Sequence, residues 1–91
     1  MRVTSASYLA EYAGAFFLVL SIFMSGGNPL VIGGALALIV YLIGGLSGAH
    51  VNPAVSLAMF HDGSLRGTEL VGYAVAQLLG GFSAYYAYRQ L

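Results

Sequence analysis

Charge and cysteine are what this sequence has least of. Only 7% of its 91 residues are charged, against 59% hydrophobic. A soluble domain usually carries about 25% charged residues. A chain this poor in charge cannot cover a water-facing surface, so its class is integral membrane. There is no cysteine, which excludes disulfides and thiolate metal sites. Net charge is zero, which argues against nucleic acid or other polyanionic partners. Prolines number two, Pro29 and Pro53, and each follows an asparagine. A secretory leader is a poor reading of the N-terminus, because Glu11 interrupts the approach to the first apolar run and no small-x-small cleavage site precedes the second.

What the chain does have is long apolar runs. Three are long enough to span a bilayer, at about 6–24, 30–46 and 70–88. Asn28-Pro29 reads as a turn and helix start between the first two. Between the second and third lies "SGAHVNPAVSLAMF", followed by the polar loop "HDGSLRGTE", 61–69. The apolar stretch at about 52–60 would make roughly 15 Å of helix, half of a ~30 Å hydrocarbon core. A segment of that length suits re-entry better than crossing. The predicted fold is therefore all-α, with three transmembrane helices and one re-entrant half-helix within a single unit, 1–91. Most of the glycines fall inside apolar segments, as is common in membrane helices. Gly72, Ala76 and Gly80 recur every four residues, as do Ala10 and Gly14, a spacing that lets helix backbones approach closely in lipid.

The break itself has a chemical logic. Asn52 is a good N-cap and Pro53 a good first helical residue, with the small Ala54 permitting close approach. The preceding residues cannot be helical up to the cap, so the carbonyls of about Gly48 to Val51 are expected to be partly unpaired. Non-helical backbone at membrane depth persists only inside protein or beside a water-filled cavity. A row of acceptors, an asparagine amide and a positive helix end would together suit a neutral polar solute and repel a cation. A plain Asn-Pro turn between two helices would carry the same dipeptide. The half-length segment after it favours re-entry.

At this point the residues resemble a known family. "SGAHVNPAVS" is similar to the first signature loop of the aquaporin, or major intrinsic protein, family. "AEYAGAFFLVL" and "ELVGYAVAQLLGG" resemble its first and third spans. The resemblance implies half of an aquaporin-like six-helix bundle. It implies that Asn52, Pro53 and Ala54 form the pore motif, that the carbonyls of Gly48, Ala49, His50 and Val51 form a solute ladder, and that Glu11 and Gln77 support the loop. Glu11 fits that role physically, since a carboxylate within a span should face the bundle interior; the alternative is that it lies near the interface and reaches water. His50 is read as holding the loop rather than carrying protons.

The chain also departs from the pattern. Family members have two inverted repeats, and this sequence has one Asn-Pro-Ala. A half-helix reaching the midplane cannot line a complete pore. The expectation is a second copy in inverted orientation, giving a homodimer or higher oligomer; the alternative is a non-conducting subunit or gene fragment that needs a complementary half. Arg2 and Arg66 fall on one side of the membrane and Arg89 on the other, a weak bias by the positive-inside rule. Val55 stands where a second repeat commonly has arginine. Ile32, Val40 and Val55 are the candidate narrow-point residues, all aliphatic, which extends the expected cargo from water to glycerol-sized neutral solutes. Tyr85, Tyr86 and Tyr88 read as an interfacial belt, with Tyr8 and Tyr12 as counterparts at the other face. No cofactor or metal is implied. An enzyme is a poor reading, since Glu11, His50, His61 and Asp62 are scattered in depth.

Overall fold

The computed structural model describes residues 1–91 and is wholly helical, with α1 Ser5–Met24, α2 Pro29–Ser47, α3 Pro53–His61 and α4 Gly67–Arg89. Two of the four starts use the same device. Asn28 Oδ1 accepts from the N–H groups of Leu30 (2.9 Å) and Val31 (3.2 Å). Asn52 Oδ1 accepts from the N–H of Ala54 (2.8 Å). A proline follows at the first helical position in both, where its missing N–H is not needed. α2 stops at Gly48, whose φ of 86° is the left-handed conformation that glycine adopts readily.

The polar loop is shorter than the expected 61–69. α4 begins at Gly67, because the Glu69 carboxylate reaches back to accept from the Arg66 N–H at 2.8 Å. That is the second half of a capping box, and it draws Gly67, Thr68 and Glu69 into the helix despite their polarity.

α1 is the centre of the bundle. It packs along α4 on one side and α2 on the other, while α3 rests on α4. Small residues set these distances. A Cβ on Gly80 would collide with the Tyr12 carbonyl oxygen, and one on Gly72 with the Tyr8 ring. Gly14 faces the other way, where a Cβ would lie 2.6 Å from Val51 and 2.9 Å from Ile43. Tyr12, read from the sequence as an interfacial residue, has a structural partner. Its hydroxyl donates to Ser83 Oγ at 2.7 Å, tying α1 to α4.

The distribution of polarity is inside-out. Seven of the 17 buried residues are polar or charged, whereas Leu9, Leu30, Tyr41 and Leu42 are each more than 60% exposed. An apolar exterior around a polar interior suits lipid as solvent. α1 and α2 are each long and apolar enough to cross a membrane. α4 is longer, at 23 residues, but Gln77, Ser83 and its tyrosines dilute its apolar character.

Candidate pore site

The segment between α2 and α3 is strained and held in place. Ala49 has φ of 51° and Val51 of 46°. For a β-branched residue such as Val51 a positive φ is a true outlier, and it persists only where surrounding contacts over-determine it. Here they converge on one carboxylate. Glu11, wholly buried on α1, accepts four hydrogen bonds. The Val51 N–H (2.7 Å) and Gln77 Nε2 (2.8 Å) donate to Oε1. Ser47 Oγ (2.7 Å) and the His50 N–H (3.0 Å) donate to Oε2. All four partners are neutral donors. Each bond to a charged acceptor is worth more than a neutral pair, which explains how α1 can hold a carboxylate at this depth.

Outer contacts brace the same loop. Ser47 Oγ accepts from the Ala49 N–H at 3.1 Å. The Tyr73 hydroxyl donates to the Ser47 carbonyl at 2.6 Å, and Ser7 Oγ to the Leu46 carbonyl at 2.8 Å. Val51 itself packs with Ala15 and Ile39 in the small apolar core.

The structure therefore brings Glu11, Gln77, His50 and Val51 together. The N–H groups at 50 and 51 are taken up, yet the carbonyls of Gly48, Ala49, His50 and Val51 accept no hydrogen bond from the protein. Asn52 is exposed at the end of this row. Its Oδ1 is committed to the Ala54 N–H, so its amide N–H groups are left to point outward as donors. Pro53 and Ala54 are exposed beside it. The arrangement presents four acceptors, then a donor, then the N-terminus of α3.

Ile32, Val40 and Val55 are not gathered with one another into any recess. Ile32 is half-buried, and Val40 and Val55 are exposed on different helices. Gly72 and Gly80 meet α1, and Gly14 meets the loop and α2; Ala76 lines a shallow outer groove together with Gly72, Tyr8, Tyr12 and Val75. Reading the residues passed over Ser7, Ser47 and Ser56, each fully buried. Ser47 and Ser56 bound the quoted loop, but Ser7 lies far from it in sequence, and a lone hydroxyl within apolar surroundings occurs in many membrane helices.

The family model described as Major intrinsic protein matches residues 23–90. The chain belongs to that family. Curated members resemble it over most of its length. It is 38% identical over 85 residues to "Glycerol uptake facilitator protein-like 6" of Lactiplantibacillus plantarum, covering 85% of this chain and 39% of that relative. It is 36% identical over 89 residues to "Aquaporin Z" of Brucella melitensis, covering 82% and 39% respectively. Against "Aquaporin AqpM" of Methanothermobacter thermautotrophicus it is 31% identical over 112 residues, covering 90% and 46%. This major intrinsic protein chain thus spans less than half the length of these relatives. No solved structure gives a significant match. As a member of the family, it is an integral membrane protein, in keeping with its two apolar, membrane-length helices.

Proposed function

We propose that this chain forms half of a passive channel for water and small neutral solutes such as glycerol, completed by a second copy inserted in the opposite orientation. α1, α2 and α4 cross the bilayer, and the loop at 48–52 with α3 re-enters it. The observation that carries this reading is the run of four carbonyls, Gly48 to Val51, unbonded within the protein and leading to the Asn52 amide. A water molecule or a hydroxyl of glycerol would donate to the carbonyls and accept from Asn52. The amide and the positive end of α3 repel a cation, as is general for aquaporin-type pores.

Reach argues for the second half. α3 has nine residues, or roughly 14 Å, against a core of about 30 Å. An inverted copy would set a second Asn52 tip to tip with the first. Val55, exposed on the first turn of α3, then stands beside the junction twice, which makes the passage less polar and suits glycerol. The names of the relatives, a glycerol uptake facilitator-like protein and aquaporins, support the same cargo. A second reading rests on the coverage of those relatives, 39–46%: a complementary half from elsewhere would complete the pore, and this chain alone would be silent.

Osmotic swelling of liposomes that contain only this purified chain tests the proposal. Water permeability well above that of empty vesicles is expected, with glycerol entering after it. Permeability equal to that of empty vesicles overturns the homodimer.

A further inference from the structure

We propose that Ser56 and Gln77 are positioning residues that hold the neutral imidazole of His50 with its proton on Nε2, so that the pore mouth is offered a donor where the adjacent carbonyls offer only acceptors. The proposal rests on the channel reading for its purpose, but its geometry stands without it.

The direction of every bond follows from Glu11. A carboxylate can only accept, so the Gln77 atom 2.8 Å from Oε1 must be its nitrogen. That orientation leaves Gln77 Oε1 buried and without a partner, the only such side-chain atom in the protein. Turning the amide over would set Oε1 against the carboxylate, acceptor to acceptor, so the orphaned oxygen is the lesser penalty. The same Nε2 carries a second hydrogen, which it donates to Ser56 Oγ at 2.9 Å. Ser56 Oγ is thereby an acceptor; it has a second lone pair that could accept from an Nδ1–H, but its own buried proton would then have no partner in the protein. The only partner left for that proton is Nδ1 of His50, also at 2.9 Å. A hydroxyl that donates there requires Nδ1 to be bare, and a neutral imidazole then carries its proton on Nε2.

Nε2 makes no bond within the protein and is not sealed from solvent. His50 borders a recess of about 520 Å³ with Gly44, Gly48, Met59, Ser64 and Leu65. Gly48 makes room for it, since a Cβ there would lie 3.0 Å from Nε2. The Tyr73 ring, 5.0 Å from the imidazole, limits its movement on the inner side. The four-residue line Glu11, Gln77, Ser56, His50 thus carries the orientation of a buried charge to the mouth, with no proton moving.

Nitrogen NMR of the His50 ring in lipid nanodiscs tests this. The exposed His61 is first replaced in a His61→Gln background, so that one imidazole remains. At about pH 8, above the ordinary imidazole range, the Nε2–H form is expected to dominate. Ser56→Ala should move the tautomer ratio towards Nδ1–H by roughly fivefold, the effect of one ordinary hydrogen bond, and Gln77→Ala should move it the same way. Ser56→Thr, which keeps the hydroxyl, should restore the wild-type ratio. A dominant Nδ1–H form in the parent chain, or a ratio unmoved by Ser56→Ala, overturns the assignment. The ring signals do not depend on flux. Failure of swelling with the expected tautomer would count against the channel alone, and the wrong tautomer in a conducting protein would count against this assignment alone.

Discussion

Glu11 shows how a single residue can carry a disproportionate share of a structure. It takes up the backbone N–H groups of His50 and of the strained Val51, and it fixes Ser47 and Gln77. Removing it leaves two buried backbone donors without partners, each costing about 1–3 kcal/mol. Glu11→Ala should therefore destabilise the chain by on the order of 3 kcal/mol. Glu11→Gln should cost less, since its amide oxygen can still accept from two of the four donors while its nitrogen is set against the others. Thermal unfolding in detergent measures the ranking. Hydrogen exchange at the His50 and Val51 amides locates the loss, and full protection of both in Glu11→Ala would show that something else holds the loop. Much of this centre was legible in the residues. A glutamate within an apolar run needs internal partners, and Asn52-Pro53 announces a cap. The resemblance pointed to Gln77 as a second loop support, but the convergence of all four donors on Glu11 was not legible, because they come from α2, the loop and α4, and no spacing along one helix encodes it.

Helices meet here where a side chain is missing, and Gly72 and Gly80, two of the α4 glycines that face α1, differ in what they meet. Gly80 abuts the Tyr12 carbonyl, a backbone atom within a helix that cannot step aside. Gly72 abuts the ring of Tyr8, a side chain that can rotate. Gly80→Ala should force α1 and α4 apart and cost about 1–3 kcal/mol, the usual range for overpacking. Gly72→Ala should cost less than half as much. Equal losses in thermal unfolding would mean that the Tyr8 ring is as rigidly held as the backbone. The four-residue spacing of Gly72, Ala76 and Gly80 pointed to a close crossing, but not to the difference between a backbone neighbour at Gly80 and a side-chain neighbour at Gly72. The start of α4 escaped sequence reading for a related reason. Gly67, Thr68 and Glu69 look like loop by composition, and only the bond from the Arg66 N–H to Glu69 makes them a first turn.

The whole molecule has two distinct ends, and their difference in charge is small. At one end Met1, Ser64 and Leu65 share the recess that His50 borders, which places Arg2 and Arg66 on that side. At the other, Phe23 stacks on Tyr88 with ring centroids 5.0 Å apart, and Arg89 donates to the Tyr85 hydroxyl at 3.0 Å. Two arginines face one. Orientation in the membrane follows Lys and Arg near the ends of spans, so a margin of a single arginine is weak enough to admit both orientations. An inverted pair needs that freedom, whereas a complementary half would work with one orientation. The absence of cysteine makes the distinction measurable. Ser64 is exposed in the loop between α3 and α4, and Ser64→Cys gives one reactive thiol. A membrane-impermeant maleimide applied to right-side-out and to inverted vesicles should label a substantial share of the chains from each face. Labelling from one face alone would mean that no inverted copy is inserted; the Asn52 end of α3 would then have to meet a different chain, and the homodimer would be ruled out.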